Sequence, residues 1–187
     1  MVVLITGGND NGKSEYAEDL VIKLSPGGKS FGYTRLYLAT MSAKDDESLV
    51  RIKKHVLRRK DMEYITIEKS NNLGELDLSK YGSDDDFYKG HRILLIEDTP
   101  NLLAGEMFRD GEFYPEVSGK ITNDIKKMVS VCEHTVIVTN EVFSDGMVYD
   151  EYTTTYLREF GIVNQNIAAM SDEVYELVCG IPVTIKA

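Results

Sequence analysis

The opening 24 residues, MVVLITGGNDNGKSEYAEDLVIKL, restrict the possible folds more than any other stretch of the chain. Residues 2–6 form a short apolar run rich in β-branched side chains, which reads as a buried strand. A G-x-x-x-x-G-K-[ST] segment follows at once, from Gly7 to Ser14. From Lys13 to about Leu24, the apolar residues Tyr16, Ala17, Leu20, Val21 and Leu24 recur at helical spacing. In a strand–loop–helix context, the loop's backbone N–H groups wrap a phosphate chain and the helix N-terminus adds favourable partial charge. Lys13 is then expected to reach the terminal phosphates, with the Ser14 hydroxyl a ligand for magnesium. A nucleotide is the implied ligand class, but such a loop names no reaction.

The rest of the chain alternates strand and helix patterns. Residues 35–40 (RLYLAT), 63–68 (EYITIE), 93–97 (ILLIE) and 135–140 (TVIVTN) read as further strands. Ser42, three residues before Asp45, reads as a capping box opening a helix through about Lys60. A weak helix is expected near 72–78, with helices around 100–108, 115–131 and 150–170. EVYELV and IPVTIK, on either side of Cys179–Gly180, read as a closing hairpin. Solid apolar strands alternating with helices imply an α/β fold, a mainly parallel sheet covered on both faces. No repeat or long linker divides the 187 residues, so one nucleotide-binding domain over 1–187 is expected.

Charge narrows the partners. With 21 basic and 31 acidic residues, the net charge is −10, which disfavours a broad nucleic-acid or anionic-membrane surface. The apolar start is too short for a signal or transmembrane segment, and the chain reads as cytoplasmic. Cys132 and Cys179 show no metal-ligand spacing.

Two further features bear on chemistry. A magnesium–nucleotide site needs a carboxylate at the end of a neighbouring strand, and ILLIED supplies Glu97 and Asp98, with Glu97 the better placed. The alternative for Glu97 is an ordinary strand-end acid in solvent. RIKKHVLRRK (51–60) carries Arg51, Lys53, Lys54, Arg58, Arg59 and Lys60, with His55 and no acid. On a helix, Arg51, His55 and Arg59 share a face. Such a patch suits a second polyphosphate and lowers the pKa of His55, keeping the imidazole neutral and nucleophilic. A neutral imidazole can attack an α-phosphate to form a covalent nucleotidyl intermediate. A solvated basic face with an incidental histidine explains the same residues equally well. His91 and His134, beside strand starts, read as structural.

The whole chain resembles the bifunctional adenosylcobinamide kinase/adenosylcobinamide-phosphate guanylyltransferase family. The resemblance runs through GGNDNGKSEYAE, LYLATM, RIKKHVLRR leading to YITIE, LLIEDTPNLLAGEMF, VTNEVFSDG, YLREFGIVNQNIA and DEVYELVCGIPVTIK. It implies a RecA-like P-loop NTPase fold, usually a homotrimer, with magnesium as the metal and ATP and GTP as substrates. It also implies two reactions: phosphorylation of adenosylcobinamide, then transfer of GMP from GTP to adenosylcobinamide phosphate.

Residue by residue, His55 matches the histidine that becomes guanylylated. Gly7, Gly8, Asn9, Asp10, Asn11, Gly12, Lys13 and Ser14 match the phosphate loop. Ala39, Thr40 and Met41 match a strand-end segment of the same site. Val56, Leu57, Arg58, Arg59 and Glu68 match further GTP-contacting positions, and Glu97 matches the acid after the fourth strand. Lys13 and Glu97 join His55 as expected catalytic residues, with Ser14 and Glu97 expected to hold the metal. Arg51, Arg58 and Arg59 are expected to stabilise phosphate charge. The chain departs from the family at the loop interior, where NDN replaces a basic or small residue before Ser-Gly-Lys-Ser. It also departs at Tyr64, Gly105 and Tyr149. Two rival readings need fewer of these residues: another small-molecule kinase, which would not use His55, and a non-catalytic nucleotide switch.

Overall fold

The computed structural model describes residues 1–41, 53, 55–82, 91–143 and 146–187. The opening segment folds as its pattern dictates: β1 (Val2–Gly7), the glycine-rich loop, then α1 (Lys13–Leu24). Next come β2 (Thr34–Ala39), β3 (Tyr64–Glu68) and β4 (Arg92–Glu97). Then follow α2 (Thr99–Met107), α3 (Ser118–Ser130), β5 (His134–Val138) and α4 (Glu151–Met170). β6 (Glu173–Val178) and β7 (Ile181–Lys186) close the chain. Residues 55–58 are helical. The proposed Ser42–Asp45 cap and Arg51 lie outside the described residues.

Seven strands form one sheet in the order β3-β2-β4-β5-β1-β6-β7. The pairings from β3 through β6 are all parallel, and only the β6–β7 hairpin is antiparallel. β5 lies between the strand that leads into the glycine-rich loop and the strand that ends at Glu97. With helices flanking the sheet, this is an α/β fold on a mainly parallel sheet, entered through a strand, a glycine-rich loop and a helix.

Alternation along the strands sorts the core into two layers. Val2, Leu4, Leu36, Leu38, Leu94 and Ile96 face a cluster containing α2, α3 and α4, through Leu102, Leu103, Ile121, Ile125, Phe160 and Val163. Val3, Ile5, Tyr37, Ile93 and Leu95 face the other way, onto Ala17 and Val21 of α1. Strands buried on both faces have no polar side to show, which is why they read as solid apolar runs.

The expected weak helix at 72–78 is instead two 3-10 turns, Leu73–Glu75 and Leu78–Lys80. Asn72 enters the first with φ 49, and Asp77 interrupts by accepting from the Ser79 amide, while Leu73 and Leu78 plug into the core. Short side-chain-capped turns satisfy the backbone there more cheaply than a helix whose polar residues would be forced inward. Asp98 caps α2 from Asn101, and Asp150 caps α4 from Thr153.

Candidate active site

In parallel sheets, ligands bind beyond the carboxyl ends of the strands. A cleft of about 960 Å³ opens there, reaching from the glycine-rich loop, past Tyr37 and Ala39, to Thr66, Glu68 and Asn71 beyond β3.

At one end, the loop is fixed by backbone contact. Gly7 has φ 142, and a Cβ there would stand 2.7 Å from the Leu177 carbonyl oxygen of β6. Gly12 adopts φ 82 as it enters α1. Asn11 Nδ2 donates to the Leu177 carbonyl at 2.9 Å, tying the loop to the hairpin strand. Lys13 is buried, and its ammonium donates to the Gly8 carbonyl. Burial lowers the Lys13 pKa, against the opposing pull of Asp98, Glu97 and Asp10.

In the middle, Glu97 accepts two hydrogen bonds. Its Oε1 accepts from the Ser14 hydroxyl, and its Oε2 accepts from Tyr37 Oη at 3.0 Å. Burial pushes the Tyr37 phenol upward, and neighbouring Glu97 adds to the shift. Asp98 also lines the cleft while capping α2 through the Asn101 amide, and burial raises its pKa. Thr40 is buried and its Oγ1 accepts from the Asp98 amide at 2.8 Å, joining the ends of β2 and β4.

The third part is the helical stretch 55–58 and the turn after it. Arg58 spans back to α1, with Nη1 at 2.7 Å from Glu15 and Nη2 at 2.6 Å from Glu18. Arg59 is buried, its guanidinium 3.4 Å from the centre of the Tyr37 ring. These contacts bring His55 over the cleft. A His55 ring nitrogen and one carboxylate oxygen each from Glu18 and Glu97 lie within 4.8 Å of one another.

The sequence-derived candidates therefore meet in one place. Asn9, Asp10, Asn11, Gly12, Lys13 and Ser14 line the cleft, as do Ala39, Met41, His55, Val56, Arg58, Arg59, Glu68 and Glu97. Gly7, Gly8 and Thr40 support its walls from behind, and Leu57 is largely exposed. His134 and His91 sit at the opposite ends of the strands, where His91 Nδ1 is 3.1 Å from Glu133.

Among the contributors not picked out of the sequence are Glu18, Tyr37, Lys69 and Asn71. Glu18 had a usable signal, since it lies four residues after Ser14 and so on the same helix face. Tyr37 was hidden in an apolar strand, and only the sheet order shows its hydroxyl reaching Glu97. Lys69 and Asn71 follow β3, and their place at the cleft depends on β3 pairing with β2.

The family model for cobinamide kinase / cobinamide phosphate guanyltransferase matches residues 3–185. Two curated relatives carry the name bifunctional adenosylcobalamin biosynthesis protein CobU. The Escherichia coli K12 protein is 31% identical over 198 residues, and the Salmonella typhimurium LT2 protein is 31% identical over 191, each alignment covering 100% of both chains. Among solved structures, the flagellar accessory protein FlaH of Methanocaldococcus jannaschii is similar at TM-score 0.48 and 11% identity, covering 99% of this chain and 77% of that one.

Proposed function

This chain belongs to the cobinamide kinase / cobinamide phosphate guanyltransferase family, and from that premise we propose how this cleft divides the two reactions among its residues. The enzyme serves cobalamin biosynthesis by phosphorylating cobinamide and then guanylylating the product. The observation that carries the proposed division is convergence: Lys13 and Ser14, Glu97, and His55, from three separate segments, line one cleft.

In the kinase step, the loop amides and Lys13 hold the nucleotide's phosphates, and Lys13 offsets charge as the γ-phosphoryl moves to the cobinamide hydroxyl. The Lys13 ammonium, now on the Gly8 carbonyl, exchanges that contact for phosphate oxygens. Glu97 orients the site through Ser14 and Tyr37. The hydroxyl of Ser14 and the carboxylate of Glu97 meet as hard oxygen donors, a set that fits magnesium. Bound there, magnesium would neutralise phosphate charge.

In the transferase step, one nitrogen of His55 attacks the α-phosphorus of GTP, an N–P bond forms, and pyrophosphate leaves. An oxygen of cobinamide phosphate then attacks the same phosphorus, breaking the N–P bond and giving cobinamide-GDP. Val56, Arg58, Arg59 and Glu68 flank this end of the cleft, the arginines supplying positive charge. Residues 1–187 act as one unit in this scheme. Assembly as a homotrimer agrees with β7, an edge strand exposed throughout and carrying Ile181, Val183 and Ile185. Among the described residues, no helix is long and apolar enough to cross a membrane.

The test is product analysis with cobinamide, ATP and GTP. Wild-type protein is expected to yield cobinamide phosphate and then cobinamide-GDP, and His55→Ala is expected to stop at cobinamide phosphate. Formation of cobinamide-GDP by His55→Ala would refute the nucleophile assignment.

A further inference from the structure

The scheme above leaves unused one buried ionisable group beside the cleft. Glu18 lies on α1, one turn beyond Ser14, with its side chain fully removed from solvent. Its Oε2 accepts from Arg58 Nε at 2.7 Å. Its Oε1 accepts no hydrogen bond among the described residues, with Arg59 Nη1 3.8 Å away, beyond hydrogen-bond reach. A buried carboxylate oxygen without a donor is costly. Burial drives the Glu18 pKa up even with Arg58 opposing it. An ion pair serving only to dock Arg58 would not require that second oxygen to go without a donor.

The Glu18, His55 and Glu97 atoms that lie within 4.8 Å of one another could also be read as a cation site. The charges nearby argue otherwise. Arg58 and Arg59 both face Glu18, and Arg59 packs on the ring of Tyr37, whose hydroxyl reaches Glu97. Two fixed guanidiniums oppose a resident dication far more than a transient monocation.

We propose that Glu18 is the positioning residue for His55, accepting the N–H of the ring nitrogen that does not attack phosphorus. The inference rests on His55 being the nucleophile. As the N–P bond forms and the bond to pyrophosphate breaks, the neutral ring becomes a cation that keeps its remaining proton. A carboxylate oxygen of Glu18 lies within 4.8 Å of a His55 ring nitrogen, close enough to answer that proton's charge. When cobinamide phosphate takes the guanylyl group, the N–P bond breaks and the ring returns to neutrality, so no proton leaves the pair. Because α1 begins at the phosphate loop, the group that orients the nucleophile is fixed to the element that holds the phosphate chain. The pairing is the same in kind as the carboxylate that sets the tautomer of the imidazole in a hydrolase triad.

The experiment follows covalent labelling by GTP carrying the label on its α-phosphate, with the rate measured at saturating GTP and GTP affinity measured separately. Glu18→Gln is expected to bind GTP within about threefold of wild type and to form the adduct roughly 100-fold more slowly. Glu18→Asp, which keeps the charge on a shorter arm, is expected to recover part of the rate. A wild-type rate in Glu18→Gln overturns the proposal, as does a rate loss matched by an equal loss of GTP affinity, which would assign Glu18 to packing alone. If Glu18→Gln does not fold, Glu18→Asp carries the test: a slowed adduct with intact affinity supports the proposal, and an unchanged rate overturns it. No adduct on wild-type protein that binds GTP would instead refute the reading of His55 on which the proposal rests.

Discussion

The two ends of the cleft are held in place by different physics. The phosphate loop is fixed by backbone: Gly7 packs on the Leu177 carbonyl, Asn11 donates to the same oxygen, and β1 is paired on both sides. The histidine stretch is fixed by charge: Arg58 bridges to Glu15 and Glu18, and Arg59 lies over Tyr37. Backbone packing changes little with ionic strength, whereas a bridge to exposed Glu15 is screened by salt. A loop that must cradle any nucleotide's phosphates gains from rigidity. The proposed nucleophile, which would meet one phosphorus, carry its guanylyl group and release it, gains from a polar mounting able to adjust.

Lys13→Ala gives the largest effect expected on this contrast. Removing the one ammonium of the loop should cost roughly 1,000-fold in cobinamide phosphorylation at saturating nucleotide, read by phosphoryl transfer from γ-labelled nucleotide. A loss under tenfold would mean that the loop positions phosphate without its lysine. Gly7→Ala comes next, since the added methyl meets backbone at a φ that L-residues avoid. A loss of roughly 2–4 kcal/mol in urea unfolding is expected. An unchanged midpoint would show that the β1–β6 contact yields freely.

Arg58→Ala breaks the charged mounting instead. It strips buried Glu18 of its closest cation while water still reaches Arg58 itself, so a smaller loss of roughly 1–3 kcal/mol is expected. The variant should also raise the Glu18 pKa further, because the pull that Arg58 exerts against burial is gone. A group whose folded pKa lies above its unfolded value favours folding at low pH and loses that contribution as the pH rises through the folded pKa. The Arg58→Ala defect should therefore shrink as the pH is lowered toward the ordinary carboxylate range. A defect constant with pH would remove Glu18 as its cause. The smallest effect belongs to Asp150→Ala, outside the residues that line the cleft. It removes the α4 cap and should lower the thermal midpoint slightly at neutral pH. Hydrogen bonds from Thr153 hold the Asp150 carboxyl below its usual pKa, so the difference from wild type should vanish in acid.

The same contrast explains what was legible in the sequence. The phosphate loop and α1 were readable because their signals are local: a glycine spacing, then apolar residues at helical period. Both ends of α1 fall where the pattern put them. Glu97 was readable because a strand ends there. The mounting of His55 was not, because it joins residues distant in the chain. Glu18 looks like any acid of an amphipathic helix until Arg58, 40 residues later, reaches it. Tyr37 looks like one more core residue until β4 is known to pair with β2. The stretch 72–78 misled for a related reason. Its apolar residues do face the core, but Asn72 and Asp77 spend their polar groups on turns.

The measurement that bears most directly on the account is to incubate the protein with GTP, digest it under alkaline conditions that preserve a phosphoramidate, and map the modified peptide by mass spectrometry. The account predicts a GMP adduct on the peptide containing His55, at His55 itself. An adduct on Lys13 or another residue, or none from protein shown to bind GTP, would contradict it.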